Sequence, residues 1–228
     1  MKKYAAILAL LLFSAVAMSQ VSISYSIGYG TNNMGDMKDL LERKYSVLKE
    51  MIGGVEITDN FATPLIHNIE ISYIYQKEEF GAQISVMNTK GTIIYTEGSY
   101  LGGNEESYKL KGMRLGTFYR RPFAERPIGK KYKLVFFGEI SPGVTISTIK
   151  YAGMIPSANN IDVTDANTSK VSISILPFVG TRLNFTESIG VQIAVGYDLS
   201  FGSKLDDVHQ TKIDWSGVRV KGGIYYIF

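Results

Sequence analysis

Along residues 21–29 apolar and small polar residues alternate without a break. Val21, Ile23, Tyr25, Ile27 and Tyr29 are separated by Ser22, Ser24, Ser26 and Gly28. Successive side chains of a strand point to opposite faces, so this segment has one greasy face and one small, hydroxylic face. The same period of two recurs over 68–76, 80–88, 112–121, 132–147, 171–185, 189–200 and 218–228, which makes eight strands. Most of these segments reach the roughly 9–11 residues with which a tilted strand crosses a bilayer. A soluble sandwich alternates in the same way; repetition along the chain and the character of the two chain ends separate the readings.

The connections alternate in length. Those at 77–79 and 186–188 are tight and that at 122–131 is moderate, whereas 31–67, 89–111, 148–170 and 201–216 are long. Short turns at one end and long loops at the other are the asymmetry of transmembrane barrels. Leu101-Gly102-Gly103-Asn104 predicts a hairpin tip in the second long loop. Pro142 and Pro177 fall inside proposed strands, where a missing N–H interrupts the ladder, and each predicts a bulge or an earlier strand end.

One segment breaks the period. Over 36–52, Met37, Leu40, Leu41, Lys44, Leu48, Met51 and Ile52 share one face of a helix, with Lys38, Asp39, Glu42, Arg43, Ser46 and Glu50 on the other. Asp36 is the expected cap, Asp39 and Arg43 an i, i+4 pair, and Gly53-Gly54 the stop. Such a helix in the first long loop is either a lid on the barrel mouth or a docking element for a partner or membrane surface.

At the N-terminus, Lys2 and Lys3 precede an apolar run that ends near small residues at Ala15, Ala17 and Ser19. A basic start, a short apolar core and small residues mark a secretory signal, here assigned to 1–19 with cleavage after Ala17 or Ser19. The run is shorter than the about 20 residues of a spanning helix. The remainder, 20–228, is then one barrel domain. The formal net charge of +3 falls further once Lys2 and Lys3 are set aside, so nothing points to a nucleic-acid surface. Mean hydropathy is only +0.04, as expected when apolar outward residues alternate with small or polar inward ones.

The chain ends Lys221-Gly222-Gly223-Ile224-Tyr225-Tyr226-Ile227-Phe228. This resembles the C-terminal signal of bacterial outer-membrane barrels: a polar residue, a Gly two further on, and aromatics at the last and third-last positions. Lys221, Gly223, Tyr226 and Phe228 carry the likeness. Together with strand number and length, it makes the chain similar to the small eight-stranded outer-membrane barrels of the OmpX and OmpA-transmembrane type, a porin-like family. The resemblance implies an all-β, eight-stranded antiparallel up-and-down barrel in the bacterial outer membrane, with both termini periplasmic; with the sequence ending at Phe228, no appended peptidoglycan-binding domain is expected. It implies contact with the bilayer and its lipopolysaccharide, the barrel-insertion machinery and periplasmic chaperones. An outer-surface protein partner is also consistent with it.

Charges on the inward parity are the remaining chemistry. Glu70, Arg114, Arg120, Glu139, Arg182, Asp198, Arg219 and Lys221 all fall there. Counting from the turns sets Arg114 opposite Glu139 and Asp198 opposite Arg219, two expected ion pairs. An eight-stranded barrel is just wide enough for its own side chains to fill, so a structural ionic core and a narrow solute path compete. His67 and His209 (with Asp206, Asp207 and Ser203 nearby) match no lipase or protease spacing, and two isolated histidines make a poor metal site. Cysteine is absent, and no catalytic, metal or cofactor site is expected. The functional expectation is a non-enzymatic barrel acting through its outer loops. The alternatives are a narrow porin, a rim enzyme acting on lipid A or peptides, and an accessory barrel of a secretion system.

Overall fold

The computed structural model describes residues 20–51, 54–95, 104–129, 131–156, 161–201, 203–204 and 212–228. The assigned secretory segment, 1–19, lies outside them. The elements run β1 (Gln20–Gly30), α1 (Gly35–Met51), β2 (Val55–Asn60), β3 (Leu65–Tyr75), β4 (Glu78–Tyr95), β5 (Asn104–Ile128), β6 (Tyr132–Pro156), β7 (Ile161–Asn184), β8 (Ile189–Phe201), β9 (Ser203–Lys204), β10 (Lys212–Ile213) and β11 (Gly217–Ile227). Eight strands pair antiparallel in the order β1, β3, β4, β5, β6, β7, β8, β11. The ring closes where β11 pairs with β1, from Ser22↔Ile227 to Gly30↔Arg219. An up-and-down barrel closed in this way leaves no open edge in the ring.

The strand ends near the chain termini share one end of the barrel with the tight turns, called the terminus end below. The loop end is opposite. The β3–β4 turn is two residues, Gln76 and Lys77, both at positive φ (49° and 75°). That primed geometry matches the right-handed twist of the flanking strands.

The second and third long loops differ from expectation. Both are largely strand: β4 and β5 stay paired out to Tyr95↔Asn104, and β6 and β7 out to Pro156↔Ile161. Beyond the end of β3, which reaches Met87, β2 takes over as the neighbour of β4, from Val55↔Tyr95 to Asn60↔Gly91. The sense of the alternation inverts there: the outward positions carry Lys90, Lys109, Lys111 and Lys150, and Tyr108, Leu110 and Ile149 face inward. Of the expected hairpin tip, residues 101–103 lie outside the described residues.

Neither Pro142 nor Pro177 makes a bulge or ends a strand. The register is the same on both sides of each gap: Gly116↔Gly143 and Tyr119↔Ile140 around Pro142, Ile175↔Leu199 and Phe178↔Gly196 around Pro177. Beside Pro142 the Ser141 hydroxyl donates to the Thr117 carbonyl at 2.8 Å, supplying a partner that the proline nitrogen cannot. β5 does bulge, between Pro122 and Ala124, and then continues to Ile128 through a stretch whose sequence reads as a turn. Pro122 and Pro127 are tolerated because the β4 pairing stops at Glu79↔Arg120, leaving β5 an edge strand from there on.

Candidate functional site

The inward parity builds an ionic cluster in the terminus half of the lumen. Arg120 sits at its centre. Its Nη2 donates to Glu70 Oε2 at 2.7 Å and to Glu139 Oε2 at 2.5 Å, and its Nη1 to Glu79 Oε2 at 3.0 Å. Lys221 Nζ reaches Glu70 Oε1 at 2.7 Å and Glu139 Oε1 at 3.1 Å. Arg182 Nη1 reaches Glu79 Oε2 at 2.6 Å, while its Nε donates to Gln192. Three carboxylates therefore face three cations, all of them buried, so no charge is left uncompensated. Aromatic faces complete the packing: the Arg120 guanidinium lies between Phe118 and Phe137, Arg182 over Tyr225, and Lys221 over Phe178. Each of these contacts adds a cation–π attraction in a dry setting.

The expected Arg114–Glu139 pair does not form. In the observed register Arg114 opposes Thr145, and Glu139 opposes Arg120. Arg114 instead donates to Ser174 Oγ (2.8 Å) and to the hydroxyl and carbonyl of Ser141. Counting from the wrong turn position caused the error, since β5 and β6 run on past Pro122. Arg219 and Asp198 do approach, at 3.5 Å, although Asp198 pairs in the ladder with Gly217. Arg219 also donates to the carbonyls of Thr31 and Trp215, which ties the end of β11 to the loop beside it. Between this layer and the cluster lies a cavity of about 30 Å3 lined by Arg114, Asp198, Arg219 and Lys221, room for a water or two.

Glu79 and Tyr225 are members of the lumenal set that the sequence reading left out. Glu79 falls in the stretch 77–79 that reads as a tight turn, and extending the parity of 81, 83 and 85 back two residues recovers it. Tyr225 sits on the inward parity of 221 and 223, masked by the aromatic signal around it.

The loop half of the lumen is filled differently. Met34, Met37, Leu41, Phe61, Ile213 and Trp215 form a fully buried apolar plug against the inner faces of β4 and β5. Trp215 Nε1 finds its partner in Ser147 Oγ at 2.9 Å. Phe61, at a φ of +48°, lays its ring over Gly91, where a Cβ would come within 2.7 Å of it. The helix α1 is a lid: Met37 and Leu41 are buried, with Leu40, Tyr45 and Leu48 packed beside them. Its first turn differs from expectation. The helix starts at Gly35, and the Asp36 carboxylate accepts the Lys212 backbone N–H at 2.9 Å rather than capping its own helix. Arg43 donates to the Asp39 carbonyl and not to its carboxylate. Lys44 packs over Tyr151 and Tyr108 and reaches Glu106 at 3.4 Å. Burial pushes the Tyr108 phenol up, and burial together with its hydrogen bond to Glu106 pushes Tyr151 up.

The outward parity is a continuous apolar belt. Ile69, Ile193 and Ile224 are 57%, 58% and 62% exposed, and exposed apolar residues occur on every ring strand. Tyr226 and Phe228 lie outside near the terminus end, packed edge to face, while Lys221 points inward. The ideal Cβ of Gly223 would lie 2.2 Å from the Tyr25 carbonyl, so no larger residue fits there. His67 faces outward beside Tyr25, whose hydroxyl is 2.9 Å from Nδ1, two residues from the loop-end start of β3. Asp206, Asp207 and His209 lie outside the described residues. Among the described residues no cluster of metal-ligating side chains occurs.

No family model matches this chain, and no curated protein matches it significantly. Solved structures with a similar course include Neisserial surface protein A (NspA), at 9% identity and a TM-score of 0.48 over 92% of this chain and 97% of that one. The N-terminal β-barrel domain of Pseudomonas aeruginosa OprF gives 8% and 0.38 over 92% and 100%. The outer-membrane protease OmpT from Escherichia coli gives 8% and 0.34 over 92% and 97%. At these identities no activity carries over to this chain.

Proposed function

We propose that this protein is an integral barrel of the bacterial outer membrane, with a closed lumen and a non-enzymatic role exerted through its loop end. The observation that carries the reading is the inversion of the barrel: charge inside, bare apolar side chains outside. A water-soluble monomer rarely exposes an apolar patch beyond a few hundred Å2, whereas lipid makes such a belt favourable. The termini then face the periplasm and the loops the exterior. Lys221, Gly223, Tyr226 and Phe228 serve as the signal read by periplasmic chaperones and the insertion machinery. The ionic cluster below and the plug above support a structural or surface-interaction role over a solute path.

The test is reconstitution. The full mature chain should enter planar bilayers as a heat-modifiable species and pass no steady current. A reproducible ohmic conductance would replace the closed barrel by a narrow porin. Deleting Phe228 should leave export intact and cause periplasmic loss. Normal outer-membrane levels of folded protein after that deletion would remove the signal role.

A further inference from the structure

The belt ends abruptly at one place. On β4, β5, β6 and β7 the outward rows Ile84–Leu115–Val144–Ile173 and Val86–Met113–Ile146–Val171 are apolar. The next row towards the loop end is Asn88–Lys111–Thr148, and the one after it Lys90–Lys109–Lys150. Three lysines thus lie directly opposite one another across neighbouring strands, with a fourth one pleat below. Their side chains and those of Asn88 and Thr148 line a shallow concavity of about 450 Å3 on the outer wall.

Like charges directly opposite on a sheet repel and destabilise it. Lysines often guard sheet edges against aggregation, but that does not apply here, because β5 is paired on both sides. Lys90 pairs with Asp59 at 2.7 Å, and Glu105, four residues beyond Lys109 on the same face, is a second, more distant counter-charge to Lys90. Among the described residues Lys109, Lys111 and Lys150 have no ion pair. At the terminus end Lys77, Glu78, Arg121, Glu125 and Lys133 are ion-paired, while among the described residues Arg126 and Lys131 have no ion pair and stand at the β5–β6 turn rather than in a row across strands. A row of directly opposed lysines in one hollow at the rim of the apolar belt sits where a bilayer presents its phosphate-bearing headgroups.

We propose that Lys90, Lys109, Lys111 and Lys150 form a binding site for the phosphate groups of a membrane lipid headgroup, with Asn88 and Thr148 as neutral donors and the adjoining apolar rows receiving the acyl chains. This rests on the membrane reading above. Lysine stems suit the position, since they lie along apolar surface while the ammonium reaches the headgroup. A bound phosphate also removes the repulsion that the bare row creates.

The experiment uses the full mature chain, folded in a zwitterionic detergent, with bisphosphorylated lipid A as probe and native mass spectrometry as readout. Wild type should retain the lipid. K109Q/K111Q/K150Q should bind it on the order of tenfold to a hundredfold more weakly, as expected from losing three cations near an anionic surface. Dephosphorylated lipid A should bind both proteins equally and poorly. The triple variant should still show the heat-modifiable band and be no less stable than wild type in detergent alone; K109Q by itself should give an intermediate loss and serves if the triple variant does not fold. Equal retention of bisphosphorylated lipid A by wild type and variant overturns the site. Complete displacement by millimolar inorganic phosphate overturns the lipid as its source. Failure of the wild-type chain to enter bilayers overturns the membrane reading instead, a separate result.

Discussion

The two halves of the lumen are filled by opposite chemistries. In the terminus half, Glu70, Glu79, Arg120, Glu139, Arg182 and Lys221 come one each from β3, β4, β5, β6, β7 and β11, so the cluster ties six of the ring strands to one another. In the loop half, most of the plug comes from segments that are not ring strands: Met34, Met37 and Leu41 around α1, Phe61 after β2, and Ile213 and Trp215 before β11. The first region holds the barrel closed; the second holds the loops to the barrel. Their energetics differ accordingly. A buried ionic network is balanced as a whole, and losing one member leaves its partners charged and dry. An apolar plug loses stability in proportion to the volume removed.

The largest effect therefore belongs to Arg120. Arg120→Ala leaves Glu70, Glu79 and Glu139 with only Lys221 and Arg182, and should cost about 3–5 kcal/mol or more. Urea unfolding followed by the gel shift between folded and unfolded barrel measures it. A variant that unfolds at the wild-type midpoint would mean that the cluster is not what closes the ring.

Trp215→Ala tests the other half. Removing a fully buried indole should cost about 3 kcal/mol, but locally. Amide exchange should speed up in α1 and the outer parts of β4 and β5, with the β1–β11 seam unchanged. If the seam loosened equally, the two regions would be one cooperative unit and the contrast drawn above would fail.

A smaller, sharper difference concerns Glu139. A double-mutant cycle between Glu139→Gln and Arg120→Lys should show a coupling of about 0.5–3 kcal/mol, while the cycle with Arg114→Lys should be additive within about 0.5 kcal/mol. The sequence alone points to the opposite ranking, and the reason is instructive. Parity is a local property, fixed by the alternation of each segment, so eight of the inward charges could be read from it, while Glu79 and Glu106, in segments read as turn and loop, could not. Partnership depends on register, which is set by where the turns fall. Pro122 and Pro127 read as a turn because proline is unwelcome in a paired strand, yet β5 has lost its β4 neighbour by that point and keeps going. The helix was legible from its 3.6-residue period; its apolar face left a lid and a docking element both open, and the burial of Met37 and Leu41 against the barrel makes it a lid. Trp215 was not, because it sits in a short irregular stretch with no period to place it. The outer strands were missed for a related reason: beyond the apolar belt the contrast between faces inverts, with lysines outward and Tyr108, Leu110 and Ile149 inward.

The smallest effect separates the halves by pH. Tyr108 and Tyr151 both border the plug, and burial, with the Glu106 hydrogen bond at Tyr151, raises both phenols above their ordinary value. A tyrosine raised in the folded state contributes stability that is complete below the unfolded pKa of about 10 and is lost as pH climbs above it. The loop half should therefore loosen above pH about 10 before the ring opens. Trp215 is the only tryptophan of the chain, so its emission reports the plug alone. Its emission should shift to the red in that alkaline range while the gel shift still shows a folded barrel. Tyr108→Phe removes one titrating group and no hydrogen bond, and should move the red shift to higher pH. An unchanged onset in that variant would show that Tyr108 does not titrate with the plug, and a red shift coincident with barrel unfolding would show that the lid and the ring come apart together.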